Sequence, residues 1–289
     1  MYLEYYGLKE MPFGLTPDPR YIFKTESHLE VLAAVKYGVE HNKGLVVVTG
    51  EVGCGKTTIL RAALQSFGEE VLAVYIFNPF LTITEFFQQL VMEMELRVPR
   101  RVSKPELLAT LARFLAWRHS QGLRTALIVD EAHGLPLALL EEIRLLLNFE
   151  TNSEKLLQVI LSGQPELDEV LNRVDLRQLK QRISLRSSIK PLSVFEINKY
   201  IRFRLKQAGG ENVNLFDGGA VKLIGQVSQG IPRVINNICD NALLYGYGSA
   251  SETITRNIIE DVVAALSLAP VNFNSSPSSG VGGEVISNL

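Results

Sequence analysis

Two cysteines in 289 residues, Cys54 and Cys239, are too few for a disulfide framework or a four-cysteine zinc site, and a reducing cytosolic compartment is the expectation. His28, His41 and His119 lack metal-ligand spacing and read as structural. No stretch of 18 residues is apolar without charge, so no membrane span is expected. Met1 to Tyr6 shows neither the basic nor the apolar part of a secretory leader. A dominant charge is missing too: 29 Lys plus Arg against 31 Asp plus Glu give a net charge of -2. That argues against a globally basic nucleic-acid binder, although a local basic stripe would hide inside the sum. Internal repeats are absent. With 46% hydrophobic and 21% charged residues the usage is ordinary globular, and the length allows about two domains.

Residues 1–25 concentrate aromatic residues and proline, among them Tyr5, Tyr6, Pro12, Phe13, Pro17, Pro19, Tyr21 and Phe23. Proline fixes φ and lacks an amide donor, so an extended arm with aromatic anchors is expected, packed on the next stretch of chain. Residues 26–190 alternate helical periodicity with short, wholly apolar runs. Leu29, Leu32, Val35 and Val39 recur at helical spacing before the run at 45–48, which ends at Gly50. Further runs cover 71–77, 125–129 and 156–161, with a fifth candidate at 184–189. Thr82 with Glu85, and Ser103 with Glu106, are capping boxes that open helices, and another helix is expected over 137–149. Strands apolar on both faces, alternating with helices, predict an α/β fold with a parallel sheet flanked by helices. Over 191–268 only helices are expected, beginning at Ser193, Asp217 and Pro232, which describes a small all-helical lid. Residues 269–289, rich in Ser, Gly and Pro, read as a flexible tail or linker.

Gly50-Glu51-Val52-Gly53-Cys54-Gly55-Lys56-Thr57 fits the P-loop pattern, and it stands between an apolar run and a helical one, as such a loop must. Its glycines let main-chain N–H groups face phosphate oxygens, with Thr58 in the first turn of the helix whose positive end adds to the site. Lys56 is placed for the β- and γ-phosphates of ATP, Thr57 for Mg²⁺, and Cys54 is a filler. The run at 126–129 ends in Asp130 and Glu131, one carboxylate for the metal shell and one to deprotonate an attacking water. Asp130-Glu131-Ala132-His133 also spells a helicase box, but a chain of this length with a helical C-terminal part supplies no second motor domain. Asn78, at the end of the second run, is a candidate to hold Glu131 away from water, against a plain loop role. Ser162 and Gln164 are alternatives for sensing the γ-phosphate.

Arg173, Arg177, Lys180, Arg182, Arg186 and Lys190 face only Asp175 in their segment. A P-loop lysine alone leaves transition-state charge uncompensated, so one of these arginines is a candidate finger reaching a neighbouring subunit, Arg182 first and Arg177 second. Arg233 lies in the first turn of a helix, where its charge opposes the helix dipole and an anionic partner such as nucleotide phosphate would relieve it.

This order of features resembles AAA+ ATPases. More narrowly, Tyr5-Tyr6-Gly7-Leu8, Pro12-Phe13 and Thr16-Pro17-Asp18-Pro19-Arg20 resemble the general secretion pathway protein A (ExeA-type) family. So do Asn148-Phe149-Glu150-Thr151, Ser162-Gly163-Gln164-Pro165-Glu166-Leu167 and Gly230-Ile231-Pro232-Arg233-Val234-Ile235-Asn236, and together the likeness spans about residues 1–268. The resemblance implies Mg²⁺-dependent ATP hydrolysis that drives or gates oligomer assembly in a bacterial envelope system for type II secretion, pili or polysaccharide export. It implies a homo-oligomer, an envelope or membrane-anchored partner protein, and a cytoplasmic location with peripheral association to the inner membrane. It gives Lys56 and Thr57 the phosphate and Mg²⁺ roles, Asp130 and Glu131 the hydrolytic ones, and Arg233 that of lid sensor. Phe13 and residues 21–23 are candidates to wall the adenine. Related modules regulate DNA transposition, so the competing reading is an ATP-dependent DNA binder using the 173–190 segment or Arg100 and Arg101. The net charge of -2 disfavours it.

Overall fold

Each of the five apolar runs becomes a strand of one parallel sheet. β1 (Leu45–Gly50), β2 (Val71–Ile76), β3 (Arg124–Val129), β4 (Gln158–Gly163) and β5 (Ile183–Ile189) lie in the order β2-β3-β4-β1-β5. The structure is a computed structural model that describes residues 1–16, 18–77, 81–99 and 102–268. The expectations for Asn78, for Arg100 and Arg101, and for the tail at 269–289 fall outside the described residues.

Every residue of β1 and β4 is buried, which is why both read as unbroken apolar runs, whereas β5 at the sheet edge alternates. Before β1 comes α2 (Glu26–Glu40), and α3 (Lys56–Gln65) follows it. These two cover one face through Val31, Val35, Ile59 and Leu60. α4 (Ile83–Glu93), α5 (Lys104–Ser120) and α6 (Leu137–Leu146) cover the other face through Phe86, Leu111 and Ile143. Both expected capping boxes are present at the starts of α4 and α5. Between β4 and β5 lie the short α7 (Glu166–Leu171) and α8 (Arg177–Lys180). The chain leaves β1 toward β2 and returns from β4 to β5 on the other side of β1. The C-terminal end of β1 is therefore a topological switch point, where parallel sheets receive ligands.

Beyond the sheet, α9 (Val194–Gln207), α10 (Gly218–Ser228), α11 (Pro232–Gly248) and α12 (Arg256–Ala265) pack around their own core. α12 was not foreseen: it opens at Thr255 without a side-chain cap and rests on β-branched Ile259, Val262 and Val263, weak helix formers made helical by burial in the lid. Among the described residues no helix is long and apolar enough to cross a membrane.

The N-terminal segment departs from the extended arm expected of it. Residues 2–5 form a helical turn, α1 (Tyr2–Tyr5), closed by Gly7 in the left-handed region (φ 64°), with the Leu8 amide donating back to Leu3 O at 2.7 Å. Only its end packs on the next stretch of chain, Ile22 against the core that α2 shares with the sheet. Tyr6, Leu8 and Phe13 join the core of α9 to α12 instead. Tyr2 donates to Asp240 at 2.7 Å and the Lys9 amide to Ala208 O at 2.8 Å.

Candidate functional site

Hydrogen-bonded neighbours on both sides hold the last residues of β1, so the loop after it starts from a fixed point. Gly53 and Gly55 take φ of 82° and 92°, closed to most side chains, and a Cβ on Gly53 would stand 2.6 Å from Cβ of Arg233. Beneath the loop lies His28, its Nε2 3.3 Å from Cys54 O and its Nδ1 2.7 Å from Thr25 Oγ1. Burial holds the His28 imidazole below its ordinary pKa, so it supports the loop as a neutral ring. Cys54 is buried, its thiol pushed up to about 11 by burial.

Lys56 is buried and donates from Nζ to the carbonyls of Gly50 (2.8 Å) and Glu51 (3.2 Å), which keeps the ammonium over the loop. Thr57 Oγ1 donates to Asp130 Oδ2 at 2.7 Å, and the Glu131 amide donates to Asp130 Oδ1 at 3.0 Å. The two residues assigned to Mg²⁺ thus meet, although 73 positions separate them in sequence. A hydroxyl and a carboxylate are hard oxygen donors of the kind Mg²⁺ takes beside substrate phosphates, so the pair fits that ion. Glu131 sits at φ 52° in the turn after β3, a strained position for a residue with a side chain. Its Oε2 is 3.5 Å from His133 Nδ1.

Lys56, Thr57 and Glu131 border a cavity of about 410 Å³ roofed by the N-terminal segment and the lid, with Asp130 buried behind Thr57. Arg233, exposed in the first turn of α11, lines it and donates its amide to Gly53 O at 3.3 Å. Tyr21, Ile22 and Phe23 line it as well. Phe13 does not: it is buried in the lid core with its ring edge-on to Phe216 at 6.0 Å, so its assignment to an adenine wall is corrected to core packing.

Some of the expected residues are not brought to this cavity. Ser162 is buried within β4 beside Val48, its hydroxyl without a hydrogen-bond partner among the described residues. The Gln164 amide donates to His133 Nδ1 at 3.4 Å, which ties the end of β4 to the turn carrying Glu131. Arg182 precedes β5 at the N-terminal edge of the sheet, opposite the P-loop, since Ile183 registers with Leu45. It is half-buried and donates from Nη1 to Leu147 O at 3.2 Å. Arg177 is exposed at the start of α8, without an ion pair among the described residues.

Tyr75, Tyr200, Arg204 and Asn236 escaped the sequence reading. Tyr75 donates to Asp130 Oδ2 at 2.9 Å from a strand that reads as purely apolar. Arg204, Tyr200 and Asn236 form a buried network in the cavity roof. A buried arginine at an inward helical position was the available signal for the second group.

A family model described as an AAA domain matches residues 39–171. General secretion pathway protein A of Aeromonas hydrophila is 38% identical over 281 residues, 97% of this chain and 51% of that protein, so the chain spans about half the length of that relative. The crystal structure of Cdc6p from Pyrobaculum aerophilum aligns with TM-score 0.68 at 17% identity, over 88% of this chain and 70% of that one. A chain in the structure of Drosophila ORC bound to DNA aligns at 0.65 and 20%, over 89% and 65%. The Thermotoga maritima RuvB branch migration motor aligns at 0.55 and 16%, over 84% and 70%. At such identities these three show a shared fold and nothing further.

Proposed function

We propose that the chain belongs to the general secretion pathway protein A family of AAA+ ATPases, and that its hydrolysis of ATP requires Mg²⁺ and drives or gates the oligomeric assembly of a cell-envelope system. The observation that carries the reading is the meeting of Thr57 with Asp130 at 2.7 Å, beside Lys56 and Glu131 and under Arg233. Main-chain amides of the loop and the N-terminus of α3 bind the phosphates, and Lys56 neutralises the bridging and terminal ones. Mg²⁺, held by Thr57 and Asp130, would draw charge from the β- and γ-phosphate oxygens. Glu131 orients the water and takes its proton as the water oxygen bonds to the γ-phosphorus and the bond from that phosphorus to the bridging oxygen of ADP breaks. Arg233 approaches from the lid, so phosphate held at the loop is also held at α11, and turnover moves the lid against the sheet.

Charge compensation by the chain's own groups leaves the far side of the γ-phosphoryl group without a cation. Arg177 or Arg182, on the opposite edge of the sheet, supplies it to the next subunit in a homo-oligomer. The partner in this reading is an envelope or membrane-anchored protein that assembles when the ATP-bound oligomer forms. Glu131→Gln tests the reading: ATP binding should stay at the parent level while turnover falls by about 10²- to 10⁴-fold, and ATP should accumulate in a larger species by light scattering. Hydrolysis at the parent rate would remove Glu131 as the base, and a species whose size ignores ATP would remove the assembly role.

A further inference from the structure

β2 borders the sheet and contributes one polar side chain to the site. The Tyr75 phenol donates to Asp130 Oδ2, the same oxygen that accepts Thr57 Oγ1, while Oδ1 accepts the Glu131 amide. Three donors therefore fix the carboxylate, and only Tyr75 comes from outside the P-loop and its own strand end. Backbone pairing delivers it accurately: Tyr75 registers with Ile128 and Ile76 with Val129, and the Asp130 amide donates to Ile76 O at 3.0 Å. The ring is held from the other side by Phe77, stacked at 4.2 Å with planes 28° apart, and Arg61 caps Phe77 at 5.5 Å.

We propose that Tyr75 is a positioning residue of the Mg²⁺ site, turning Asp130 Oδ2 toward Thr57 and so setting the affinity for the metal rather than for the nucleotide. The inference rests on the ATPase reading above. Mg²⁺ demands near-ideal octahedral geometry and gives up water reluctantly, so a carboxylate free to rotate binds it less well than one already aimed. Hydrogen-bond partners of ligating groups are worth about 10- to 100-fold in metal affinity.

Tyr75→Phe keeps the ring and its stack on Phe77 and removes only the donor. In the full chain, binding of a fluorescent, non-hydrolysable ATP analogue is measured first in EDTA and then against rising Mg²⁺, with Asp130→Asn alongside. The variant should match the parent in EDTA and need about 10-fold more Mg²⁺ for half-saturation. Its turnover should return toward the parent value once Mg²⁺ saturates. A merely structural role would lower the melting temperature and the EDTA affinity together and leave the Mg²⁺ midpoint in place. An unchanged midpoint, with Asp130→Asn still abolishing the Mg²⁺ response, overturns the role of Tyr75 and leaves the ATPase reading standing. No Mg²⁺ response in the parent chain overturns both.

Discussion

The floor and the roof of the nucleotide cavity are built in opposite ways. The floor is main chain: a loop between β1 and α3 fixed by parallel ladders on both sides, with two glycines in conformations few other residues adopt. The roof is side chain. Arg204, buried on α9, donates from Nε to Pro12 O at 2.6 Å, from Nη2 to Gly14 O at 3.3 Å and from Nη1 to Tyr200 Oη at 2.8 Å. Tyr200 in turn donates to Asn236 Oδ1 at 2.8 Å. No carboxylate pairs with Arg204 among the described residues, so carbonyl dipoles and the face of Tyr21, 4.8 Å away, offset the cost of burying its charge. A floor made of backbone keeps its shape when a side chain is changed and loses only chemistry. A roof whose chain segments meet at a shared guanidinium is more open to damage from a single change.

The largest effect is expected where two floors meet. An arginine supplied in trans is worth about 10³- to 10⁵-fold in phosphoryl transfer. Arg177→Ala should bind ATP normally yet turn over at least about 10³-fold more slowly, and Arg182→Ala, whose side chain is tied to Leu147 O, should lose less. Mixing Arg177→Ala with Lys56→Ala, which is expected to bind no nucleotide, should restore part of the activity, because some mixed interfaces join an intact pocket to an intact arginine. Activity strictly linear in protein concentration, with no rescue on mixing, would show a floor complete in one subunit.

The next effect separates floor from roof directly. Arg204→Met leaves the buried Pro12 carbonyl without its donor, a loss of about 1–3 kcal/mol, while the exposed Gly14 carbonyl turns to water. Melting should fall by about 5 °C or more, and protease should reach the N-terminal segment before it reaches the sheet. Lys56→Ala should melt close to the parent. Equal melting of both variants would mean that the roof does not depend on Arg204.

The smallest effect probes the underside of the floor. Because burial lowers the pKa of His28 from 6.5, the unfolded chain takes up this proton at a higher pH than the folded chain does. The contribution is therefore intact above pH 6.5 and is lost as pH falls below 6.5 toward and through the folded value. His28→Gln should melt with a shallower dependence on pH between 7 and 5 than the parent. An unaltered slope would place the acid sensitivity elsewhere.

The same division decides what could be read in advance. Strand order aside, the floor was legible because burial on both faces writes uninterrupted apolar runs, and because a phosphate loop needs glycine and lysine at fixed spacing. Thr57 and Asp130 were found through those local patterns. Tyr75 was not, since an aromatic residue in a strand ordinarily packs, and nothing near position 75 names a carboxylate at 130. The roof was illegible for the same reason at longer range: Arg204 finds its acceptors 192 and 190 residues earlier in the chain. Prolines in the first 25 residues pointed to extended backbone and concealed the helical turn at 2–5, where Gly7 supplies the stop. α12 was missed because its apolar stripe is β-branched.

Packing of Tyr6, Leu8 and Phe13 into the core of the last four helices has a cost during synthesis. These side chains leave the ribosome before the helices that receive them and find their place only after α9 to α12 have emerged, Arg204 lying 192 positions after Pro12. At about 5–20 residues per second that interval is about 10–40 s. The sheet can collapse in the meantime, but Tyr6, Leu8 and Phe13 stay unburied until the helical core that receives them has been made. The roof of the cavity is therefore completed only after α9 to α12 have been translated.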